Sequence, residues 1–470
     1  MGSGNTRHRD TNLLSYINID RDKQSSLSID TLSIVHMQKT KVAAKAVKYE
    51  NVENMIGIWL DSTSNELNGD NEHTIIQLQN TINFVKIFDD AEKCLNFINS
   101  IQNEKIFLII SGSLGSTFAP LVENLTQIDS IYIFCKRRSK HILWSRQYHT
   151  IKAVDSNIKF IRRCILRDVN QCESDLVRFS IVSDNSPMTI NERTLSYVFT
   201  RLIKEMLCNS KYTGKEHKQL VNYCRESYKN IDHELNTIDE FERNYHGTSS
   251  IDWYNRRCFL RFMIAKAFRI YDIQLIIKMG YFIRNLQHEI EQIYSQTDNC
   301  QPLSVYRAQN VSLNELDNFK RSKGYILSFN SFLSATIFED VSLENARRGQ
   351  NNCDTVGILF RIQIDSRNCS TPFVCLEENE NNEILFSLNA NFTIDAVQEI
   401  DTRIWKIDLT LVDEDDRYMK QFVDSIQSSI KPKADLSYIA EFIKELRRFD
   451  DQRTFADRRE QLSSEQCCQF

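Results

Sequence analysis

The stretch Ile106-Phe107-Leu108-Ile109-Ile110-Ser111-Gly112-Ser113-Leu114-Gly115 reads as a buried strand running through a turn into a helix. Five consecutive large apolar residues suit a strand covered on both faces, and the Ser-Gly-Ser that follows ends it. Strands covered on both faces belong to parallel sheets, so the flanking sequence should repeat the unit. Apolar runs at 56–60, 84–88, 131–135 and 151–154 do so, alternating with helix-period segments such as 91–101, where Cys94, Leu95, Ile98 and Ile101 share a face. Five such units predict an α/β domain, flavodoxin-like with a doubly wound and mostly parallel sheet, over residues 51–180.

Ligands of such sheets sit at the carboxyl ends of the strands, which here carry Asp61, Asp89 with Asp90, Ser111-Gly112-Ser113, Lys136-Arg137-Arg138 and Asp155. A phosphoryl-accepting receiver wants an Asp after its third strand and a Lys after its fifth; these positions hold Ser111-Gly112 and Asp155. The turn from Gly112 to Gly115 lacks a full dinucleotide fingerprint and follows the wrong strand, so it reads as a plain strand-to-helix turn. The domain is expected to be a scaffold or partner-binding module.

The whole chain has 470 residues, room for about two to four domains. With 41% hydrophobic and 26% charged residues and only 12 Gly and 5 Pro, it is neither collagen-like nor low-complexity. A net charge of −5 supplies no global field for phosphates, and nucleic acid is not an expected partner. The 13 cysteines show neither CxxC pairs nor zinc spacing, and the first thirty residues hold no apolar signal core, which predicts a cytoplasmic protein with free thiols and no metal. Residues 106–122, though uncharged, are interrupted by Ser, Gly and Pro and fall short of a membrane span. Gly2 fits the spacing for myristoylation and Cys467, four from the end, permits prenylation, although an unmodified terminus is the preferred reading at both; membrane association is expected only if Gly2 or Cys467 is lipidated. Residues 1–50 are polar and read as a loosely ordered segment, and 413–470 as a charged helical tail.

From 194 to 296 the period is helical. Val198, Phe199, Leu202 and Ile203 form one stripe, and Trp253, Phe259, Phe262, Met263 and Phe268 mark others; such stripes read as core rather than as a cofactor box. His233, His246 and His288 stand apart, without ligand spacing. After Pro302 short strands at 303–306, 325–329, 357–364, 383–386, 392–396 and 404–411 predict an α+β region of two packed, mainly antiparallel sheets over 302–412. Three features fall in order along them: Val305-Tyr306-Arg307-Ala308, the segment from Ser328 through Phe332 to Ser334-Ala335-Thr336, and Asn381-Asn382-Glu383-Ile384-Leu385-Phe386.

This ordered set resembles the Arg-Ser-Glu class of the NAD(P)(+)--arginine mono-ADP-ribosyltransferase family, in a multidomain member with an N-terminal α/β domain. The resemblance runs over residues 194–412, the helical block leading into the β core. It implies a transferase that moves ADP-ribose from NAD to a protein side chain, arginine foremost, and releases nicotinamide. Arg307, Ser334 and Glu383 are then the catalytic set, with Arg307, Ala308, Phe332 and Ser334 binding the NAD co-substrate and Asn381 on the acceptor side.

The residue types suit that chemistry on their own account. Breaking the nicotinamide–ribose bond passes through an oxocarbenium-like state, which a carboxylate such as Glu383 stabilises through the ribose 2′-hydroxyl. A pyrophosphate suits the planar, permanently charged fork of Arg307. The Ser334 hydroxyl both donates and accepts, and by analogy orients the nicotinamide side, where Phe332 is placed to pack on the ring.

Three positions depart from the family pattern: Ala308 replaces the Gly after the Arg, Ala335 and Thr336 complete the triplet begun by Ser334, and Asn381 replaces the first acid of a Glu-x-Glu pair. Asn381 accepts a hydrogen bond but is no general base, which puts arginine specificity in question; Glu377, Glu378 and Glu380 crowd the same loop. NAD glycohydrolysis, or a catalytically weak interaction protein on this fold, are the alternatives.

Overall fold

The computed structural model of the chain describes residues 51–62, 77–182, 192–245, 250–297, 303–348, 354–365, 371–376 and 382–412. The terminal expectations, including Gly2, Cys467, the 1–50 segment and the 413–470 tail, lie outside the described residues. The apolar runs become β1 (Met55–Leu60), β2 (Val85–Phe88), β3 (Lys105–Ser111), β4 (Ile128–Phe134) and β5 (Ile151–Asp155) in one sheet of order β2-β1-β3-β4-β5. All pairings in it are parallel. β1 and nearly all of β3 are buried, which is why they read as unbroken apolar runs.

The connecting helices are α1 (Ala91–Ser100), α2 (Gly112–Val122), α3 (Ile142–Ser145) and α4 (Ile158–Asp175). Asp90, one of the strand-end acids, caps α1 by accepting from the Lys93 amide at 2.8 Å, and Asp155 accepts from the Asn157 amide at 2.8 Å. The turn into α2 demands glycine, because a Cβ on Gly112 would stand 2.6 Å from Cys135 Cβ. On α4 the stripe Ile161, Ile165, Val169 and Cys172 buries against Trp59, Phe107, Ile109 and Tyr132 of the sheet.

The helical stretch forms α5 (Glu192–Asn209), α6 (Lys215–Ser227), α7 (Asp232–Asn244), α8 (Ser250–Asn255), α9 (Phe259–Arg269) and α10 (Ile273–Gln296). Phe199, Phe241, Trp253, Phe259, Phe268 and Phe282 close one core, as the aromatic stripes indicate. Polar contacts tie this block to the parallel sheet. Lys266 Nζ donates to the Asn51 carbonyl and to Glu104, each at 2.6 Å, and the Asn83 amide nitrogen donates to both Glu53 (2.6 Å) and Glu234 (3.0 Å).

The second sheet has nine strands: β6 (Phe179–Val182), β7 (Leu303–Ser312), β8 (Ile326–Phe329), β9 (Leu333–Thr336), β10 (Thr355–Ile364), β11 (Phe373–Leu376), β12 (Glu383–Phe386), β13 (Asn391–Asp401) and β14 (Ile404–Val412). Besides the helical block between β6 and β7, the helices α11 (Leu313–Arg321) and α12 (Glu339–Arg348) lie between these strands. The order is β11-β12-β9-β7-β10-β14-β13-β8-β6, and only β10 with β14 runs parallel. The expectation was two sheets; the structure has one ladder with a corner, since β9 joins β7 through the single pair Tyr306↔Thr336. The corner folds the two arms over a shared aromatic core. Phe386 on β12 comes within 5.5 Å of Phe392 on β13, although β9, β7, β10 and β14 lie between those strands in the ladder. Gly357 on β10 admits α12 against the sheet: a Cβ there would collide with the Ala346 carbonyl.

Candidate functional site

Thr336 is the pivot of the site. It pairs with Tyr306 of β7 on one side and Glu383 of β12 on the other, which sets the latter two backbones about 10 Å apart at ordinary strand spacing. Ser334 pairs with Leu385, so Ser334, Thr336 and Glu383 share one face of the pleat. Ala335 and Ile384 lie on the other face, inside the β core. A hydroxyl at 335 would therefore stand on the face of the pleat away from Ser334 and Glu383. On the site face Phe332 and Leu385 enter the core of the helical block, with the Phe332 ring 5.6 Å from Tyr254 of α8. Glu383 and Ser334 thus look toward the helices, not into the β core.

Arg307 follows Tyr306 on β7 and is only 7% exposed. Its Nη1 donates to the Ser334 carbonyl at 2.9 Å and its Nη2 to the Ser174 carbonyl, in the last turn of α4, at 3.1 Å. The guanidinium carbon stands 6.0 Å from the Phe329 ring. Burial pulls this arginine down to about 10, so it stays charged at neutral pH. Its Nε is buried with no hydrogen-bond partner among the described residues. A buried donor in that state invites an acceptor from outside the chain.

The neighbouring contacts fix α4 against β7. Asp175 accepts from the Asn310 amide at 2.7 Å and from its side chain at 2.8 Å, while Gln309 donates to the Val177 carbonyl at 2.9 Å. Burial raises the Asp175 carboxyl to about 6 against the pull of these donors.

Arg307, Ala308, Phe332, Ser334 and Glu383 line one cavity of about 790 Å³. Asn381 lies outside the described residues. The Ala308 methyl packs with Ala346 of α12 and Ile404 of β14, a small apolar cluster. Among the described residues the cavity wall holds Arg163, Arg167, Arg178, Arg257, Arg261, Arg269, Arg307 and Arg348 against Glu173 and Glu383. Arg257 pairs with Glu173 at 2.9 Å. Burial works against the charge on Arg261, but Glu173, Tyr254 and Glu383 more than offset it and hold the guanidinium above its ordinary value. Burial also raises the Tyr254 phenol, which remains neutral. The cavity is therefore strongly positive with one carboxylate, Glu383, at its β wall, and it suits an anionic ligand that brings a bond to Glu383.

Sequence reading missed Tyr254, Arg261 and Ser174. Tyr254 and Arg261 sit among helix-period residues assigned to the core, and Ser174 contributes a carbonyl, which every residue carries; neither leaves a signal in a single sequence.

No family model and no curated protein matches the sequence. Among solved structures, the chain is similar to Vis toxin, an ADP-ribosyltransferase from Vibrio splendidus, at 17% identity over 50% of this chain and 91% of that one, with a TM-score of 0.23. It is similar to the Clostridium limosum C3 exoenzyme at 11% identity over 39% and 94%, with a TM-score of 0.27. Exoenzyme S from Pseudomonas aeruginosa, solved with human 14-3-3 protein beta and bound to Carba-NAD, matches at 11% identity over 41% and 88%, with a TM-score of 0.27. At such scores the likeness fixes neither activity nor substrate, which rest on the residues of the cavity.

Proposed function

We propose that this chain is a mono-ADP-ribosyltransferase that cleaves NAD and passes its ADP-ribose to a protein side chain, arginine first. One observation carries the reading: Arg307, Ser334 and Glu383, far apart in sequence, line one positive cavity in which the buried Arg307 keeps an unpartnered Nε–H. A pyrophosphate satisfies that donor and adds charge-assisted bonds to a guanidinium already held in place by two carbonyls.

Glu383 then faces the ribose. As the C1′–N bond breaks, its electron pair goes to the ring nitrogen, turning the pyridinium into neutral nicotinamide, and positive charge builds on C1′ and the ring oxygen. The Glu383 carboxylate accepts from the 2′-hydroxyl and stabilises that charge where it develops. The Ser334 hydroxyl, on the same face, holds the nicotinamide side, with Phe332 and Tyr254 beneath it. The acceptor adds to C1′ and loses its proton. Hydrolysis to free ADP-ribose is the second reading, favoured by Asn381, which offers an acceptor no base. A cytoplasmic setting belongs to the proposal, motivated by the scattered cysteines.

The test is incubation of the full chain with labelled NAD, scoring nicotinamide release and protein-bound label, with Glu383→Gln as control. Release from wild type but not from the variant is expected. Wild type that releases none removes both enzymatic readings and leaves an interaction protein.

A further inference from the structure

Beyond the Arg307 anchor the cavity continues along α4, and the transfer chemistry uses no side chain there. Arg163, Leu166, Arg167, Asn170, Gln171 and Ser174 line it, at spacings that put all six on one face of the helix. This is the face opposite the stripe buried on the parallel sheet. At 1.5 Å per residue, Arg167 stands about 10 Å and Arg163 about 16 Å along the axis from Ser174, whose carbonyl holds Arg307.

Both arginines are exposed. Arg167 Nε pairs with Asp168 at 2.9 Å, and its two Nη groups make no hydrogen bond among the described residues. Arg163 lies 5.9 Å from the Phe160 ring, and among the described residues its N–H groups make no hydrogen bond. The pair is spaced i, i+4, where like charges repel, so an anion between them turns a cost into a grip.

A dinucleotide whose pyrophosphate sits at Arg307 carries its adenosine one nucleoside further, the reach to Arg167 along α4. NAD offers neutral hydroxyls at that point. A phosphate monoester on the ribose 2′-oxygen offers nearly two negative charges and three acceptor oxygens, the group that arginine reads in NADP-binding sites. We propose that the α4 arm of the cavity is a phosphate-monoester subsite in which Arg163 and Arg167 grip the 2′-phosphate of NADP, making NADP the preferred donor. This rests on the dinucleotide reading of Arg307, and it gives the parallel-sheet module a part in the site: its last helix selects the donor.

Equilibrium binding of NAD and of NADP to the full chain, measured by calorimetry, tests it, with nicotinamide release from each scored alongside. NADP is expected to bind at least about tenfold tighter than NAD, and Arg163→Ala with Arg167→Ala to bring the ratio of affinities near one; Arg167→Lys, which keeps the charge, retains part of it. A ratio near one in wild type, a preference for NAD, no binding of either, or a preference that survives the double variant overturns the subsite. Nicotinamide release without a preference sinks the subsite alone. NADP binding that the double variant weakens, without release from either dinucleotide, sinks the transferase reading and leaves the subsite standing.

Discussion

Arg307 on β7 donates from Nη2 to the Ser174 carbonyl at 3.1 Å, and so couples the last helix of the parallel-sheet module to the strand that carries the candidate anchor. A helix C-terminus offers unsatisfied carbonyls and the negative end of its dipole, both suited to a guanidinium. Together with the Ser334 carbonyl this fixes the fork without neutralising it. A lysine has one point charge and no fork, and cannot hold two carbonyls and a phosphate together. Arg307→Lys is expected to lower kcat/KM for nicotinamide release about 10- to 100-fold, the loss of one or two charge-assisted bonds. Steady-state kinetics against NAD checks it; wild-type values would remove Arg307 from the site.

Glu383 and Ser334 are expected to differ in kind. A carboxylate that answers charge appearing only in the transition state acts on kcat, so Glu383→Gln should cost about 10²- to 10³-fold in kcat with a small change in KM. In the proposed reaction Ser334 orients a ground-state group, so Ser334→Ala should raise KM as well and cost less in kcat. A Glu383→Gln variant with normal kcat and a raised KM would make the carboxylate a binding group only.

The Asn83 side chain holds two carboxyls at once, donating to Glu53 at 2.6 Å and to Glu234 at 3.0 Å, while the Tyr228 hydroxyl donates to Glu53 at 2.7 Å. Burial raises Glu53 to about 8, against its hydrogen bonds to Asn83 and Tyr228 and with the nearby Glu234 adding to the rise; burial likewise raises Glu234 to about 7. Both lie above their unfolded values, so their contribution to stability is complete below about pH 4.5 and is lost as pH rises through 7 and 8. The melting temperature should fall by several degrees between pH 6 and 9. Glu53→Gln, which keeps the acceptor and removes the charge, should flatten that slope; an unchanged slope would place the titration elsewhere.

The parallel sheet was legible because its strands are buried on both faces and announce themselves as unbroken apolar runs, as Ile106 to Ile110 do. β9 and β11 were not legible: each has four residues, and the two alternations of Leu333-Ser334-Ala335-Thr336 are too short a run to stand out. α11 was passed over although it carries a readable signal, the capping box in which Ser312 and Glu315 satisfy each other's amides. The corner at Tyr306 and Thr336 is a pairing across thirty positions, and nothing local in the sequence encodes it. The same holds for the site. Arg307, Ser334 and Glu383 were named from their types, their order and the family resemblance, and they line one cavity, whereas Ser174, Tyr254 and Arg261 reach it only through the packing of three layers.

Gly357 allows α12 to rest on β10 with the Ala346 carbonyl over its Cα, in the layer that also holds the Ala308 methyl. Gly357→Ala forces the helix outward and should destabilise the fold by about 1–3 kcal/mol, the usual cost of overpacking. Because α12 abuts β7 beside Arg307, affinity for NAD should fall with it. Thermal unfolding and NAD titration on the same sample check both effects; a variant as stable as wild type would show that the helix yields freely.

In the proposed reaction the acceptor turns on Asn381. The cavity wall near Glu383 carries Arg261 and Arg307, a field that repels an incoming guanidinium unless a carboxylate meets it at the mouth. Asparagine supplies a carbonyl but neither a charge nor a base, so water should compete well with arginine for C1′ in wild type. Asn381→Glu restores both missing properties. Transfer to a small guanidinium acceptor, taken as a ratio to free ADP-ribose, should rise toward the roughly 100-fold that a positioned base contributes. An unchanged ratio, with nicotinamide release intact, would mean that a guanidinium is not the acceptor, or that Glu377, Glu378 or Glu380 already serves it; replacing those three by Gln separates the cases, since only in the second does the ratio collapse.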